Sequence, residues 1–175
     1  MNMTSRPGLN EVPRQRWLRI IPPILIACII SYMDRVNIAF AMPGGMDAEL
    51  GISATMAGLA GGIFFIGYVL FEVPASLIAA RCNAMHWVAR IMFSWGLVCI
   101  LMTTMTTELE FYIYRFLLGL CEASLYPVIY SLLIPNWFLP KERAKAISLM
   151  LTSLLFSNII GGPLAGILLL SLIHI

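Results

Sequence analysis

Asp34 and Arg35 stand side by side in one long apolar run, and Arg115 and Glu122 stand seven residues apart in another. An ionisable side chain near the centre of a bilayer costs at least ~2.5–3.5 kcal/mol on insertion scales. Such groups therefore belong against a protein interior or a water-filled cavity, not against lipid. A guanidinium offers a planar fork that holds a carboxylate through two hydrogen bonds. Carboxylates beside it suit protons that are bound and released. The chemistry that this set supports is capture of an organic anion next to a site for a proton.

The elements that must position these four residues are membrane helices. Of 175 residues, 60% are apolar and 11% charged, which excludes an ordinary soluble domain. A spanning helix needs about 20 mostly apolar residues, and five segments qualify. They run from about Leu18 to Pro43, Thr55 to Ala80, Trp87 to Thr106, Leu109 to Ile134 and Ala146 to Leu170. A cleaved signal peptide would carry an apolar core of only about 7–15 residues closed by small residues. The first segment instead continues past Asp34-Arg35 through Ile38-Ala39-Phe40-Ala41, so a retained span is expected.

Charge placement gives the orientation. The amino-terminal tail holds Arg6, Arg14, Arg16 and Arg19; the connection after span two holds Arg81 and Arg90; that after span four holds Lys141, Arg143 and Lys145. The connections around Asp47 and Glu49, and around Glu108 and Glu110, hold no Lys or Arg. By the positive-inside rule the amino terminus is expected in the cytoplasm of a cell with this protein in its cell membrane. A net charge of +2 gives no footing for nucleic acid.

Other chemistries lack their residues. Cys28, Cys99 and Cys121 fall within spans and Cys82 in a cytoplasmic loop, so no extracellular disulfide is expected. His86 and His174 are isolated, no metal-ligand spacing occurs, and no glycine-rich phosphate loop or nucleophile–base pair is present. The expectation is no cofactor, no metal and no enzyme activity. Gly58 and Gly62, four apart, form a small-residue stripe whose expected use is close helix packing.

Spacing brings the polar groups together. Arg115 and Glu122 share a helix face, about 10 Å apart along the axis. Gly119 between them leaves room for a ligand or another backbone. Asp34 lies about 14 residues, or about 21 Å, from the inner end of its helix. Both pairs then lie from mid-membrane to the outer half, where they can converge on one cavity. Asp34 and Arg35 point about 100° apart, so each needs its own partner across helices. Three intramembrane carboxylates, Asp34, Glu72 and Glu122, face two guanidiniums. A buried carboxylate without a partner is disfavoured in its charged form, which makes one of the three a candidate proton carrier. Interhelical ion pairing is the alternative use, with Glu72, toward the cytoplasmic end, the acid it fits best.

Tyr32-Met33-Asp34-Arg35-Val36-Asn37 resembles the first-helix signature of the anion:cation symporter family of the major facilitator superfamily. Further matches follow in order: Gly67-Tyr68, Phe71-Glu72-Val73-Pro74, Arg90-Ile91, Trp95-Gly96, Arg115 to Gly119 with Glu122-Ala123, Pro127, Trp137-Phe138, Glu142-Arg143-Ala144 and Gly161 to Gly166. The resemblance covers about Arg16 to Leu170. It implies an all-α membrane protein whose five helices belong to the amino-terminal six-helix half of a major facilitator fold. It also implies proton-driven symport of a carboxylate such as a sugar acid, a tartrate-like acid or an aromatic acid. Arg35 and Arg115 match arginines that contact the substrate carboxylate; Asp34 and Glu122 match acids implicated in proton coupling; Tyr32, Asn37 and Tyr68 match polar positions lining the cavity.

Two departures stand out. The loop Arg81 to Trp87 lacks the glycine and second basic residue usual near Asn83 and Met85. The family pattern continues for a second half beyond five helices, whereas Ser171 to Ile175 leave it abruptly and resemble translated adaptor sequence. The expected organisation is a cytoplasmic tail at 1–17, a partial bundle at 18–170 and a truncated or non-native tail at 171–175. Alternating access needs two repeats around a midplane site, so transport is assigned to the intact relative. The alternative is a small membrane-embedded binding or assembly protein.

Overall fold

The computed structural model describes residues 13–41 and 53–173, with side chains at 15–36, 53, 55–153 and on to 167. Five long helices account for nearly all of this: α1 Pro13–Ala41, α2 Ala54–Ala79, α3 Ala84–Met102, α4 Glu108–Trp137 and α5 Pro140–Ile173. All five are long and apolar enough to cross a membrane. The connection around Asp47 and Glu49 and the residues before Pro13, Arg6 among them, lie outside the described residues.

Local sequence explains where the helices start. Ser53 accepts from the Met56 backbone N–H at 3.2 Å, and the Met56 sulfur accepts from the Ser53 N–H at 3.3 Å, a capping box with a thioether in the usual carboxylate's place. The Asn83 side-chain oxygen accepts from the Met85 N–H at 2.9 Å at the start of α3. Thr107 accepts from the Glu110 N–H at 3.3 Å, and Glu110 accepts from the Thr106 and Thr107 N–H groups at 2.8 and 3.1 Å. Glu108 and Glu110 also place negative charge at the amino end of the α4 dipole. Pro140 begins α5, where a missing N–H is harmless.

Two helices start or end beyond their apolar stretches. α1 begins at Pro13, ahead of Leu18, and α5 at Pro140, ahead of Ala146. Both extensions are polar and are held by contact with one another. Arg16 donates to both carboxylate oxygens of Glu142 at 2.8 and 3.0 Å, its guanidinium lies 5.8 Å from the Phe138 ring centre, and Trp17 packs edge-on against Phe138 at 4.8 Å. Hydropathy reads none of this.

α4 is not one regular helix. It runs as α-helix to Glu122, loosens at Ala123-Ser124, resumes over Leu125–Val128, widens into a π-helical turn at Ile129–Leu133 and closes with Ile134–Trp137. Pro127 and Pro135 lack the N–H groups that would bond Ala123 and Ser131 carbonyls, which is the physical reason for a slack ladder here.

The most extensive helix pairings are α2 along α4 and α1 along α5, with α3 against α4 next. The α2–α4 pairing is backbone against backbone. A β-carbon on Gly67 would stand 2.6 Å from the Phe116 carbonyl oxygen, and one on Gly119 would overlap the Phe64 carbonyl oxygen. The room that Gly119 leaves is thus taken by another backbone. The stripe at Gly58 and Gly62 behaves otherwise: a β-carbon at either position meets nothing within 4 Å, so the expected close packing is not made among the described residues. The apolar interior falls into a large cluster around Ile24, Trp87, Ile129 and Phe138, a small one around Ala57, Ala60 and Phe111, and a third formed by Phe64, Trp95, Val98 and Leu118. The charged set sits beside the third.

Candidate functional site

Ser31 and Arg35 are four apart on α1 and so lie on one face of it. Both reach across to α4. Arg35 Nε donates to Glu122 Oε2 at 3.0 Å, and Ser31 Oγ donates to the same oxygen at 2.9 Å. Glu122 is fully buried, and the Arg35 side chain is only 14% exposed. Glu122 Oε1 is buried as well and has no hydrogen-bond partner among the described residues.

Asp34 turns to a different helix. One oxygen accepts from the Trp95 indole N–H at 3.4 Å, and the other faces the Cys99 thiol at 4.0 Å, both on α3. Adjacent residues on α1 thus engage α4 and α3 separately, as the 100° step between them requires.

Arg115 has the least company. It is buried, its Nε has no hydrogen-bond partner, and no carboxylate lies within 4.0 Å of its nitrogens among the described residues. Arg115 and Glu122 share the buried face of α4, as their spacing requires, and Glu122 is engaged by Arg35 from α1.

Aromatic rings fill the space between the charges. The Phe64 ring centre lies 5.4 Å from the guanidinium carbon of Arg35 and 5.4 Å from that of Arg115. Tyr68 and Tyr126 rings lie 4.7 and 5.2 Å from Arg35. Rings at this range stabilise a desolvated cation through their negative faces. The Tyr126 hydroxyl donates to the Cys28 carbonyl at 3.4 Å, which ties the slackened part of α4 to α1.

The other expected residues add no hydrogen bond or ion pair to this cluster among the described residues. Tyr32 is half-buried on α1 and makes no hydrogen bond to the four charged groups among the described residues. The Asn37 side chain lies outside the described residues, although its backbone continues α1. Glu72 is half-buried, its carboxylate makes no ion pair among the described residues, and its backbone carbonyl accepts from Ser76. Ser31, Phe64, Trp95 and Cys99 went unnoticed as site residues because they carry no charge; the four-residue spacing of Ser31 from Arg35 was the available signal for one of them.

The arrangement offers two guanidiniums with unequal partners: Arg35 holds a carboxylate through Nε while its buried Nη2 has no partner, and Arg115 makes no ion pair among the described residues. Residues 24–174 match the model of the Major Facilitator Superfamily. The chain is 42% identical over 158 residues to a protein of Agrobacterium vitis named as a tartrate transporter, covering 90% of this chain and 35% of that protein. It is 42% identical over 151 residues to a protein of Pseudomonas putida named as the metabolite transport protein NicT, covering 85% of this chain and 33% of that one. A quinolone resistance transporter of Acinetobacter baumannii is 39% identical over 161 residues, with 91% and 36% covered. The chain thus spans about a third of the length of these relatives. With five helices able to cross a membrane among the described residues, this multi-pass membrane chain belongs to the Major Facilitator Superfamily, a family of transporters and not of enzymes.

Proposed function

We propose that these helices form part of a proton-coupled symporter for an organic anion, with the amino terminus in the cytoplasm. The observation that carries the reading is the open guanidinium of Arg115: a buried cation with an unpartnered Nε and no close carboxylate is a seat for an anion. Arg35 supplies a second cationic contact, and Tyr68 lines the same space. Tyr32, half-buried on α1, and Asn37 are proposed as further polar contacts of the anion. Asp34 and Glu122 carry the proton. An anion that engages the arginines weakens their hold on the acids and favours protonation, so the two binding events support each other. The substrate class is a carboxylate such as a sugar acid, a tartrate-like acid or an aromatic acid. Relatives named for tartrate and for quinolone resistance stand at similar identity, so the exact anion follows from cavity shape and not from family membership.

The test is a chimera in which this chain replaces the matching part of the Agrobacterium vitis relative, reconstituted in liposomes. A proton gradient should drive accumulation of labelled tartrate, and a sodium gradient should not. Glu122→Gln should retain exchange but lose gradient-driven accumulation. Accumulation at the unsubstituted level in both Arg115→Ala and Glu122→Gln would remove the basis for this reading.

A further inference from the structure

Both hydrogen bonds that Glu122 accepts fall on one oxygen. Arg35 Nε at 3.0 Å and Ser31 Oγ at 2.9 Å converge on Oε2, while Oε1 is buried and has no partner among the described residues. A buried acceptor left without a donor is costly, and the asymmetry tells the two oxygens apart chemically. A proton on Oε2 would point into the Arg35 N–H, which can only donate. A proton on Oε1 disturbs neither bond.

We infer that Glu122 takes its proton on Oε1, and that Ser31 is the positioning residue that, with Arg35, holds Oε2 and so keeps Oε1 as the receiving atom. In the step, a hydronium ion gives up one O–H bond as an O–H bond forms at Oε1, leaving a neutral water and a neutral carboxylic acid. Oε2 becomes its carbonyl oxygen and still accepts from Ser31 and Arg35. The charged or titratable groups in the field of Glu122 are Asp34 and Arg35 from α1, Tyr68 from α2, Cys99 from α3, and Arg115 and Tyr126 from α4. From α5, Ser157 donates to the Ile29 carbonyl at 2.9 Å, two residues before Ser31 and so on the other side of α1. Ser31 is the only neutral donor to Glu122 among the described residues.

This assignment rests on the reading that Glu122 exchanges a proton, but its test needs no transport. The chain itself, in lipid bilayers and labelled at glutamate carboxyl carbons, is followed by infrared spectroscopy down to about pH 4, near the ordinary carboxylate range. Glu122→Gln identifies the band. The C=O stretch of a protonated carboxyl falls with each hydrogen bond that its carbonyl oxygen accepts. The wild-type band should therefore lie well below that of a free carboxylic acid in hydrocarbon. Ser31→Ala should raise its frequency, and Ser31→Thr, which keeps the hydroxyl, should restore it. A wild-type band at the free-acid position, a band unmoved by Ser31→Ala, or no protonated Glu122 at all would overturn the assignment. The wild-type band position tests it even if the alanine variant does not fold. Failure of uptake in the chimera with these bands intact would instead overturn the transport reading alone.

Discussion

Arg35 Nε and Glu122 Oε2 meet at 3.0 Å across two helices that are otherwise paired with other partners. α1 packs chiefly along α5, and α4 along α2, so this ion pair spans the seam between the two pairings. Removing one member of a buried pair leaves an uncompensated charge, which costs about 3–5 kcal/mol, while replacing both by apolar groups is often close to neutral. Arg35→Met should therefore destabilise the chain by about 3 kcal/mol, and the double substitution Arg35→Met with Glu122→Leu by much less. Unfolding in mixed micelles by increasing dodecyl sulfate measures both. A double variant as unstable as the single one would show that the pair itself stabilises the bundle.

Gly119 and Gly58 provide a matched comparison. Overpacking a tight contact costs about 1–3 kcal/mol, and Gly119→Ala should fall at or above the top of that range because its neighbour is backbone. Gly58→Ala meets open space and should change stability by less than about 0.5 kcal/mol. The same micelle titration reads both; equal effects would contradict the close approach of α2 and α4.

Arg115→Lys keeps the charge and loses the fork. In the chimera it should weaken tartrate affinity about tenfold or more, since a lysine cannot hold a carboxylate through two parallel hydrogen bonds. Binding isotherms on purified protein check this, and unchanged affinity would place Arg115 outside the anion site.

Topology is tested by cysteine labelling in cells of a version without its native cysteines. Glu108 and Lys141 are both exposed; Glu108 opens α4, and Lys141 lies just past its other end, in the first turn of α5. A cysteine at 108 should react with an impermeant reagent from outside, and one at 141 only after permeabilisation. Labelling of position 108 from the cytoplasm alone would reverse the proposed orientation.

The five spans were legible because runs of about 20 apolar residues have few other uses. Arg35, Asp34, Arg115 and Glu122 stood out for the same reason, as charges where charge is expensive. What periodicity could not give was the partner of each. Arg115 and Glu122 share a face, as their spacing gives, but the donor that reaches Glu122 comes from α1, and only the packing of α1 against α4 decides that. Helix ends were misjudged at α1 and α5 because their polar extensions are held by Arg16 and Glu142, a contact between residues 126 apart in sequence. The Gly58–Gly62 stripe looked like the packing motif, whereas the glycines in backbone contact are Gly67 and Gly119, which lie on different helices and form no local pattern.

The Gly119–Phe64 contact has a mechanical consequence. Most helix interfaces yield by turning a side chain, but two touching peptide planes have none to turn. α2 and α4 are locked at the depth of the charged set, and the Phe64 ring keeps a fixed station in front of Arg115. Arg35 rides on α1, outside that lock. With α2 and α4 in backbone contact there, any change in the spacing between the two guanidiniums would have to come from α1, which carries Arg35.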